Sequence, residues 1–485
     1  MLMQNGITED TLYMSVRELA NLIRARRLSP VALAEAYLDR LEKLGPKLGA
    51  TITITRQIAL DQARIAQYDI QRGRYRGPLH GIPYGVKDLV ATRGTATTWG
   101  AAPYVNQVFD YDATIIKKLN EAGAVMVAKL AMVELAGGFG YNNADASFTG
   151  PGRTPWNKDF WSGGSSSGPG AATAAALVAF SIGSETSGSI ITPSAFCGVS
   201  GLRPTYGRVS RYGAMALSWT LDKLGPMCRT ADDCGLVMAA IAGRDPLDPT
   251  SVDKPFVYPE RAGRGARARG RNQKFRIGVI KGTTDRVQPE VKKNFEESLE
   301  AISRFADIKE DVEFPDMPFG QVVSTIVAAE GASAFRDLVE TGRSRELRAA
   351  NDRWGGYASS MVLAVDYLQA MRIRGPMKRI LDELYSKYDA LVAPSRATVS
   401  YPIGIDFDKA YPGISGGPAV IPAGNAVGQP AISLPNGFGA NNLPTGIQFT
   451  GRAWSEARLL EIANAYQQAT DWHKQRPQVE AIFGT

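Results

Sequence analysis

The chain has 485 residues, of which 44% are hydrophobic and 21% are charged. This composition is typical of a globular protein that buries a large core, so it excludes a chain that is disordered throughout. The first residues, MLMQNGITEDTLYMS, show no cationic stretch followed by an apolar run, and nowhere do ~18 apolar residues follow one another. We therefore expect neither a secreted protein nor one that spans a membrane.

The cysteine and histidine content favours a reducing compartment and disfavours a metal centre. Cys197, Cys228 and Cys234 cannot all pair with one another, and with only two histidines in the chain they match no zinc-ligand spacing. We therefore expect a cytoplasmic protein that holds no metal ion.

The formal net charge of +7 would be compatible with a nucleic-acid partner, but much of the excess lies in one short stretch, residues 261–274, RAGRGARARGRNQK. Glycine and alanine interrupt the arginines, and no aromatic residue is interleaved with them. This pattern favours a solvated connecting loop, placed at 254–274, over an RNA-binding arm. We therefore expect no nucleic-acid partner and no membrane partner.

The N-terminal region, 15–70, is predicted to be helical. Apolar residues recur at helical spacing over 15–44, and the pair Ser29-Pro30 supplies a cap and a first turn between two amphipathic helices. Turn residues then lead into a short apolar run that contains Lys87. This run predicts a buried strand with a lysine in it.

The next segments alternate between helix and strand patterns. Residues 115–122 predict a helix, and residues 124–129 predict a strand in a parallel part of a sheet. Residues 142–170 are rich in Gly, Ser, Thr, Asn and Pro between two apolar segments, which indicates a functional loop. Residues 171–180 predict a buried helix, and residues 183–190 a tight Gly/Ser turn.

The second half of the chain continues the alternation, without an internal repeat. It predicts a strand at 274–281, helices over 343–387, a strand at 390–393 and a closing helix at 457–470. Together these patterns predict an α/β protein with a mixed sheet.

A nucleophilic serine needs a base within hydrogen-bond reach, and histidine is the usual one. The chain contains only His80 and His473, and neither lies in a serine-hydrolase signature such as G-x-S-x-G. Lysine can replace histidine if burial lowers its pKa, because a buried ammonium loses its hydration. Lys87 interrupts an apolar run and fits this demand. From the local sequence alone, a lysine that reaches the surface or pairs with Asp88 is the alternative.

Three segments in the expected order resemble the amidase signature family: GPLHGIPYGVKDL at 77–89, GGSSSGPGAATAAA at 163–176 and GSETSGSIITPSAFCGVSGLRPTYGRVS at 183–210. The resemblance implies the amidase signature fold, a large twisted mixed β-sheet covered by helices on both faces. It also implies one amidase domain over 1–485. In that domain the signature core spans 77–243, and the C-terminal part, 275–485, completes the sheet and the pocket rim.

Position by position, the resemblance implies a catalytic base at Lys87, a bridging serine at Ser165 and the nucleophile at Ser189. In the family a cis peptide bond precedes the bridging serine, which here would join Gly164 to Ser165. It further implies that Ala136, Gly137 and Gly138 line the acyl side of the pocket.

The small residues Thr186, Ser187, Gly188 and Ser189 are expected to form the oxyanion hole. Such residues let successive backbone N–H groups converge on one point, where they stabilise the negative oxygen of a tetrahedral intermediate.

The chain departs from the family pattern beside the proposed nucleophile. Glu185 stands where the family most often has Asp, Ser187 replaces a glycine, and Ile191 replaces an arginine. In the core motif Ser167 also replaces a glycine. We therefore expect an altered charge network around an intact set of catalytic residues.

The resemblance implies hydrolysis of amides through an acyl-enzyme intermediate, with aryl amides, carbamates (urethanes) and esters within reach and with no cofactor. We expect a small-molecule amide or carbamate substrate and a monomer or homodimer. The alternative is the amidase (A) subunit of a tRNA-dependent glutamyl or aspartyl amidotransferase. A catalytically silent binding protein and a nucleic-acid-binding module remain as further hypotheses. Residues 401–418 are either a mobile rim over the pocket or an inert surface loop.

Overall fold

The computed structural model of the chain describes residues 7–259 and 274–484. Within these residues, strands from both halves of the chain join into one sheet of 11 strands. In chain order the strands are β1 Thr51–Ile54, β2 Pro83–Lys87, β3 Val125–Leu130, β4 Phe180–Glu185, β5 Ser200–Arg203, β6 Lys223–Cys228, β7 Phe275–Ile280, β8 Ala306–Val312, β9 Ala390–Pro394, β10 Ala431–Gly439 and β11 Leu443–Thr450.

The spatial order of the strands is β1-β3-β2-β4-β6-β5-β10-β11-β9-β7-β8. Strands β3, β2 and β4 run parallel, as do β9, β7 and β8, and the remaining neighbours pair antiparallel. All residues of β2, β3 and β4 are buried, as is expected of parallel strands with both faces covered. The predicted mixed sheet and α/β class are confirmed.

Helices surround this sheet. In chain order they are α1 Glu9–Leu12, α2 Val16–Arg24, α3 Pro30–Leu44, α4 Arg56–Gln71, α5 Thr114–Glu121, α6 Ser167–Ala174, α7 Ile191–Cys197, α8 Ala231–Ile241, α9 Pro289–Ser303, α10 Phe319–Ala334, α11 Arg336–Glu340, α12 Ala350–Ser359, α13 Ala364–Ser386, α14 Phe407–Ala410, α15 Val420–Ala426, α16 Glu456–Ala469 and α17 Val479–Phe483. None of the helices in the described residues is both long enough and apolar enough to cross a membrane.

Strand β3 shows that apolar cores lie on both faces of the sheet. Successive side chains of a strand point to opposite faces. Met126 belongs to the core cluster that includes residues of α2 and α8, whereas Val125 and Val127 belong to a separate cluster that includes residues of α3, α4 and α6. The sheet is therefore covered by helices on both sides at this strand.

The two N-terminal amphipathic helices form where the sequence predicts them. The Ser15 side chain caps α2 and makes a capping box with Glu18, and the Ser29 side chain accepts the N–H of Ala32 at the start of α3. Pro30 occupies the first turn of α3, where its missing N–H costs nothing.

The helix predicted over 171–180 is wrong at both ends. Helix α6 begins at Ser167 and ends at Ala174, and Phe180 already begins strand β4. Between them Ala176 has a φ of +51°, which interrupts the helix. A short apolar run does not distinguish a buried helix from a buried strand, and here the pairing of Phe180 with Tyr84 of β2 makes it a strand.

Most of the basic stretch 261–274 lies outside the described residues, so the connecting-loop prediction stays a prediction.

Candidate active site

Lys87 is the last residue of strand β2 and is fully buried. Its Nζ lies 2.7 Å from Oγ of Ser165 and 2.9 Å from Oγ of Ser184. Burial lowers the pKa of Lys87 to about 7, although the negative charges of Asp222 and Glu185 favour the ammonium. A substantial fraction of the side chain is therefore a neutral amine at neutral pH.

Asp88 is not the ion-pair partner of Lys87. Its Oδ1 lies 3.1 Å from Nζ of Lys129, and both of these side chains are fully buried. Its Oδ2 accepts the backbone N–H and the hydroxyl of Thr98. The alternative that Lys87 pairs with Asp88 or reaches the surface is therefore wrong.

Ser165 lies in the loop before helix α6, and the peptide bond between Gly164 and Ser165 is cis, as the resemblance predicts. The N–H of the following residue, Ser166, donates to the carbonyl oxygen of Ser189 at 3.3 Å. This bond ties the two serine-containing segments together. Among the described hydrogen bonds none joins the hydroxyls of Ser165 and Ser189, so a proton relay between them stays a prediction.

Ser189 ends a turn at 186–189, called here the serine turn, which connects β4 to α7. Oε2 of Glu185, the last residue of β4, accepts the backbone N–H groups of Ile190 and Ile191 at 2.9 and 3.1 Å. A carboxylate at the first N–H groups of a helix is also favoured by the helix dipole. Glu185 therefore fixes the start of α7 relative to the end of β4 and closes the serine turn.

The other oxygen of Glu185 faces two side chains from distant segments. Nη1 of Arg203 and Nδ2 of Asn425 donate to Oε1 at 2.8 and 2.9 Å. Burial by itself would raise the pKa of Glu185, but the positive charges of Arg203 and Lys223 hold it at about 2. The sequence predicted an altered charge network at this point without identifying Arg203 or Asn425. The signal for this altered charge network was Glu185 itself, which stands where the family most often has Asp.

The serine turn has free backbone donors. No hydrogen bond described for the turn uses the N–H groups of Thr186, Ser187, Gly188 or Ser189 as donors. Gly188 has a φ of +91°, a conformation that favours glycine. The oxyanion-hole assignment stays a prediction, and these unengaged donors support it.

A cavity of about 160 Å³ lies beside the serine turn, with Ser184 and Thr186 on its wall. Of the three residues predicted to line the acyl side of the pocket, Ala136 lies on the wall of this cavity. Gly137 and Gly138 face neighbouring side chains instead, which an added Cβ would meet at 2.5 and 2.9 Å. The substrate-binding prediction is therefore best supported at Ala136.

Residues 415–418 and helix α15 line a second cavity, of about 240 Å³, called here the rim cavity. Ile421 of α15 lies 3.4 Å from the position that a Cβ would take on Gly188, so the rim cavity adjoins the serine turn. Earlier in the predicted rim, the rings of Tyr401 and Phe407 pack together with centroids 4.9 Å apart.

The two histidines are poor candidates for the base. Nδ1 of His80 accepts the backbone N–H of Arg76, and burial lowers the pKa of His80 to about 4. Burial also lowers the pKa of His473, which lies in a 3₁₀ helix near the C-terminus. Neither imidazole takes part in a described hydrogen bond to a serine.

Several characterised proteins are similar to this chain over nearly its whole length. The A subunit of a glutamyl-tRNA(Gln) amidotransferase from Moorella thermoacetica is 36% identical over 490 residues, which cover 96% of this chain and 99% of the relative. The structure of the peptide amidase from Stenotrophomonas maltophilia is 30% identical, covers 97% of this chain and 99% of its own, and has a TM-score of 0.82. The structure of the corresponding A subunit from Thermotoga maritima is 28% identical, covers 96% of each chain and has a TM-score of 0.77.

These comparisons correct the prediction about partners. The sequence led us to expect a monomer or homodimer that acts on a free small-molecule amide or carbamate, with no nucleic acid. That prediction is wrong, because the full-length relatives are named as one subunit of an enzyme for glutamyl-tRNA(Gln). Motifs around a catalytic serine describe the bond that is attacked, and they carry no information about the surface that meets a partner.

The family model for amidases matches residues 32–460, which include Lys87, Ser165 and Ser189. The chain therefore belongs to the amidase signature family and is a hydrolase of carbon–nitrogen bonds.

Proposed function

We propose that Ser189 attacks the carbonyl carbon of an amide while its proton passes through Ser165 to neutral Lys87. The observation that carries this proposal is the contact between the fully buried Nζ of Lys87 and Oγ of Ser165. The lysine then returns a proton to the departing amine by the same route. A bond from Ser189 Oγ to carbon forms as the carbon–nitrogen bond breaks, and water later hydrolyses the resulting acyl-enzyme.

The serine turn is placed to stabilise the negative charge that develops on the carbonyl oxygen in this reaction. The carbonyl oxygen becomes negative in the tetrahedral intermediate, and the unengaged N–H groups of 186–189 can donate to it. Glu185 holds the following N–H groups, so these donors need not reorganise during the reaction. Such preorganised donors are typically worth about 2.7 to 4 kcal/mol of barrier each.

For the substrate, we propose that the chain is the amidase (A) subunit of a tRNA-dependent glutamyl amidotransferase. In this role it would hydrolyse the side-chain amide of glutamine, leaving glutamate and ammonia, and the ammonia would amidate the glutamyl group carried by tRNA. The identity of 34–36% to such subunits over 96–97% of this chain supports this proposal.

A covalent probe tests the nucleophile. A fluorophosphonate should label the wild-type chain at Ser189, and Ser189→Ala should abolish both labelling and turnover while leaving the fold intact. Ser303→Ala, which removes an exposed hydroxyl on helix α9, is the matched control and should behave as wild type. Labelling at another serine, or turnover by Ser189→Ala, would remove the assignment.

Ammonia release tests the substrate. We expect glutaminase activity to be low for the purified chain and to rise when the chain is assembled with the other subunits of the amidotransferase from the same genome. Aryl amides, carbamates and esters, which the same chemistry can cleave, serve as comparison substrates. Glutaminase activity that ignores the other subunits, or is absent from the assembled complex, would contradict the proposal.

A further inference from the structure

A cluster of arginines lies where helices α2 and α4 end. Its members are all exposed and come from two short segments, 24–27 and 72–76. They are Arg24, Arg26, Arg27, Arg72, Arg74 and Arg76, called here the arginine face. Neither segment contains an acidic residue. Like charges that lie this close repel one another, so the arginine face is a concentration of positive charge that the fold must tolerate.

The described chain neutralises only part of this charge. Asp69 pairs with Arg74 and Arg76, through Oδ1 and Oδ2 at 2.8 and 2.7 Å, and the other arginines of the face take part in no described ion pair. The carboxyl end of a helix adds the equivalent of about half a negative charge. One carboxylate and two helix ends therefore leave most of the positive charge of the face unbalanced.

Hydrogen bonds hold the two segments of the face side by side. Nη2 of Arg26 donates to the carbonyl oxygens of Ile70 and Gln71, at the end of α4, at 3.2 and 3.0 Å. The φ of Arg26 is +58°, a conformation that favours glycine at this position after a helix. A cavity of about 440 Å³ lies between the segments, and its wall includes Arg24, Arg26 and Arg76. The arginine face is therefore a concave site with fixed walls.

Two tyrosine rings lie among the arginines. The guanidinium carbon of Arg72 lies 4.3 Å from the ring centroid of Tyr68, and that of Arg24 lies 5.7 Å from the ring centroid of Tyr75. Tyr68 is 49% exposed, and Tyr75 lies on the wall of the cavity. Unpaired bases stack on such rings and on guanidinium planes, and arginine also binds phosphate through paired N–H groups. The face therefore combines groups for a phosphate backbone with groups for bases.

The arginine face lies at the edge of the sheet opposite to the proposed catalytic residues. Its second segment leads through a turn at 77–81 into β2, which begins at Pro83, whereas Lys87 ends that strand. About 13 Å of strand separates the two ends of β2. Strand β4 runs parallel to β2, and it also ends at the serine turn. A molecule bound to the arginine face would therefore leave Ser189 open to a substrate.

We infer that the arginine face binds the phosphate backbone of an RNA whose unpaired bases stack on Tyr68 and Tyr75. The choice of RNA among polyanions rests on the proposed function, because the proposed amidotransferase acts on glutamyl-tRNA; the charge of the face does not depend on it. A lipid surface fits less well, since it requires exposed apolar side chains beside the cations. On the described wall of the cavity the aliphatic side chain is that of Ile70, which is 6% exposed.

Filter binding of labelled transfer RNA to the full chain at several salt concentrations tests this inference. The affinity should fall steeply as salt rises, because each contact to a phosphate releases counterions. The double variant Arg24→Gln, Arg72→Gln should bind at least roughly 10-fold more weakly and should reduce the slope of log affinity against log salt by about 1.4 to 1.8. Tyr68→Ala should weaken the binding of an unpaired RNA oligonucleotide roughly 10-fold, and Tyr68→Phe, which keeps the ring, should not.

The double variant Arg304→Gln, Arg379→Gln is the matched control. It removes the same charge from exposed positions at the end of α9 and in α13, and it should bind transfer RNA as the wild-type chain does. Circular dichroism and Tm confirm that each variant is folded. An affinity that is unchanged in Arg24→Gln, Arg72→Gln, or that falls equally in the control, would overturn the inference. Vesicles of phosphatidylcholine and phosphatidylserine form a further arm. If they bind through the same arginines while transfer RNA does not bind, the inference is also overturned.

This inference and the proposed function fail separately. If glutaminase activity appears in the assembled enzyme but the chain shows no arginine-dependent binding of transfer RNA, only the RNA site is rejected. If the chain binds transfer RNA through Arg24 and Arg72 but the assembled enzyme releases no ammonia from glutamine, the substrate proposal is rejected and the RNA site is retained. Labelling of Ser189 by a fluorophosphonate should be the same in Arg24→Gln, Arg72→Gln as in the wild-type chain.

Discussion

At the scale of single residues, the buried Lys87 predicts the pH dependence of the reaction. Its pKa is lowered to about 7, and only the neutral amine can accept the proton of a serine. The value of kcat/KM should therefore rise with pH through about 7 and reach a plateau above it. Stopped assays across this range with a buffer series of constant ionic strength would measure the midpoint.

Substitutions of Lys87, His80 and His473 show which of these side chains is the catalytic base. Lys87→Ala should remove most activity and flatten the rising limb, because nothing replaces the amine. His80→Ala and His473→Ala should leave the midpoint of the limb in place. A limb that survives the lysine substitution and disappears with a histidine would refute the proposed base.

Single residues were the most predictable part of the site. The contact between Lys87 and Ser165 and the cis bond before Ser165 both follow from segments that can be recognised locally. Arg203 and Asn425 carry no such signal in the sequence. Their contacts with Glu185 depend on which segments the fold brings together.

At the scale of elements, the link between β4 and α7 depends on the buried pair of Glu185 and Arg203. Glu185→Ala should lower the free energy of unfolding by about 3–5 kcal/mol, because it leaves a buried arginine without its carboxylate. It should also lower kcat by roughly 100-fold, since the serine turn loses its anchor. Urea unfolding and steady-state kinetics measure the two effects.

Glu185→Asp, which keeps the charge, should retain more activity than Glu185→Ala. Glu340→Ala, which breaks the exposed pair with Arg336 on helix α11, should change neither quantity much. If Glu185→Ala unfolds at the same urea concentration as wild type, the anchoring role is wrong.

The segment at 134–138 gives a second prediction at this scale. Ala136→Leu should raise KM with little change in Tm, because the added side chain enters the cavity beside Ser184 and Thr186. Gly138→Leu should lower Tm instead, since a Cβ there would lie 2.9 Å from Leu217 and 3.2 Å from Phe335. Thermal melts and KM values for both variants distinguish a residue of the pocket wall from one that only packs in the core. An unchanged KM for Ala136→Leu would exclude Ala136 from the pocket wall.

At the scale of the whole molecule, one sheet joins the two halves of the chain through the antiparallel pair β5 and β10. A buried ion pair between Arg208 and Glu456 adds a second link, to helix α16. We propose on this basis that residues 1–485 form a single domain. Calorimetry should then show one cooperative unfolding transition.

The variant Glu456→Ala tests whether both halves of the chain unfold in that single transition. Glu456→Ala leaves Arg208 buried without its partner and should lower the temperature of the whole transition. Two separate transitions in the wild-type chain, with only one of them shifted in Glu456→Ala, would show that the halves unfold independently.

The sequence by itself determined the α/β class, the positions of most of the predicted helices and strands, and the segments that carry Lys87, Ser165 and Ser189. These features depend on local periodicity and on short motifs, which tertiary contacts change little. It misplaced the helix after Ser165, because an apolar run fits a buried helix and a buried strand equally well.

Only the tertiary structure decided the order of the strands and the set of Glu185, Arg203 and Asn425 behind the serine turn. These groups come from segments that are far apart in the chain. The partner of a buried charge such as Glu185 depends on which segments the fold brings together, and that information is not local to any motif.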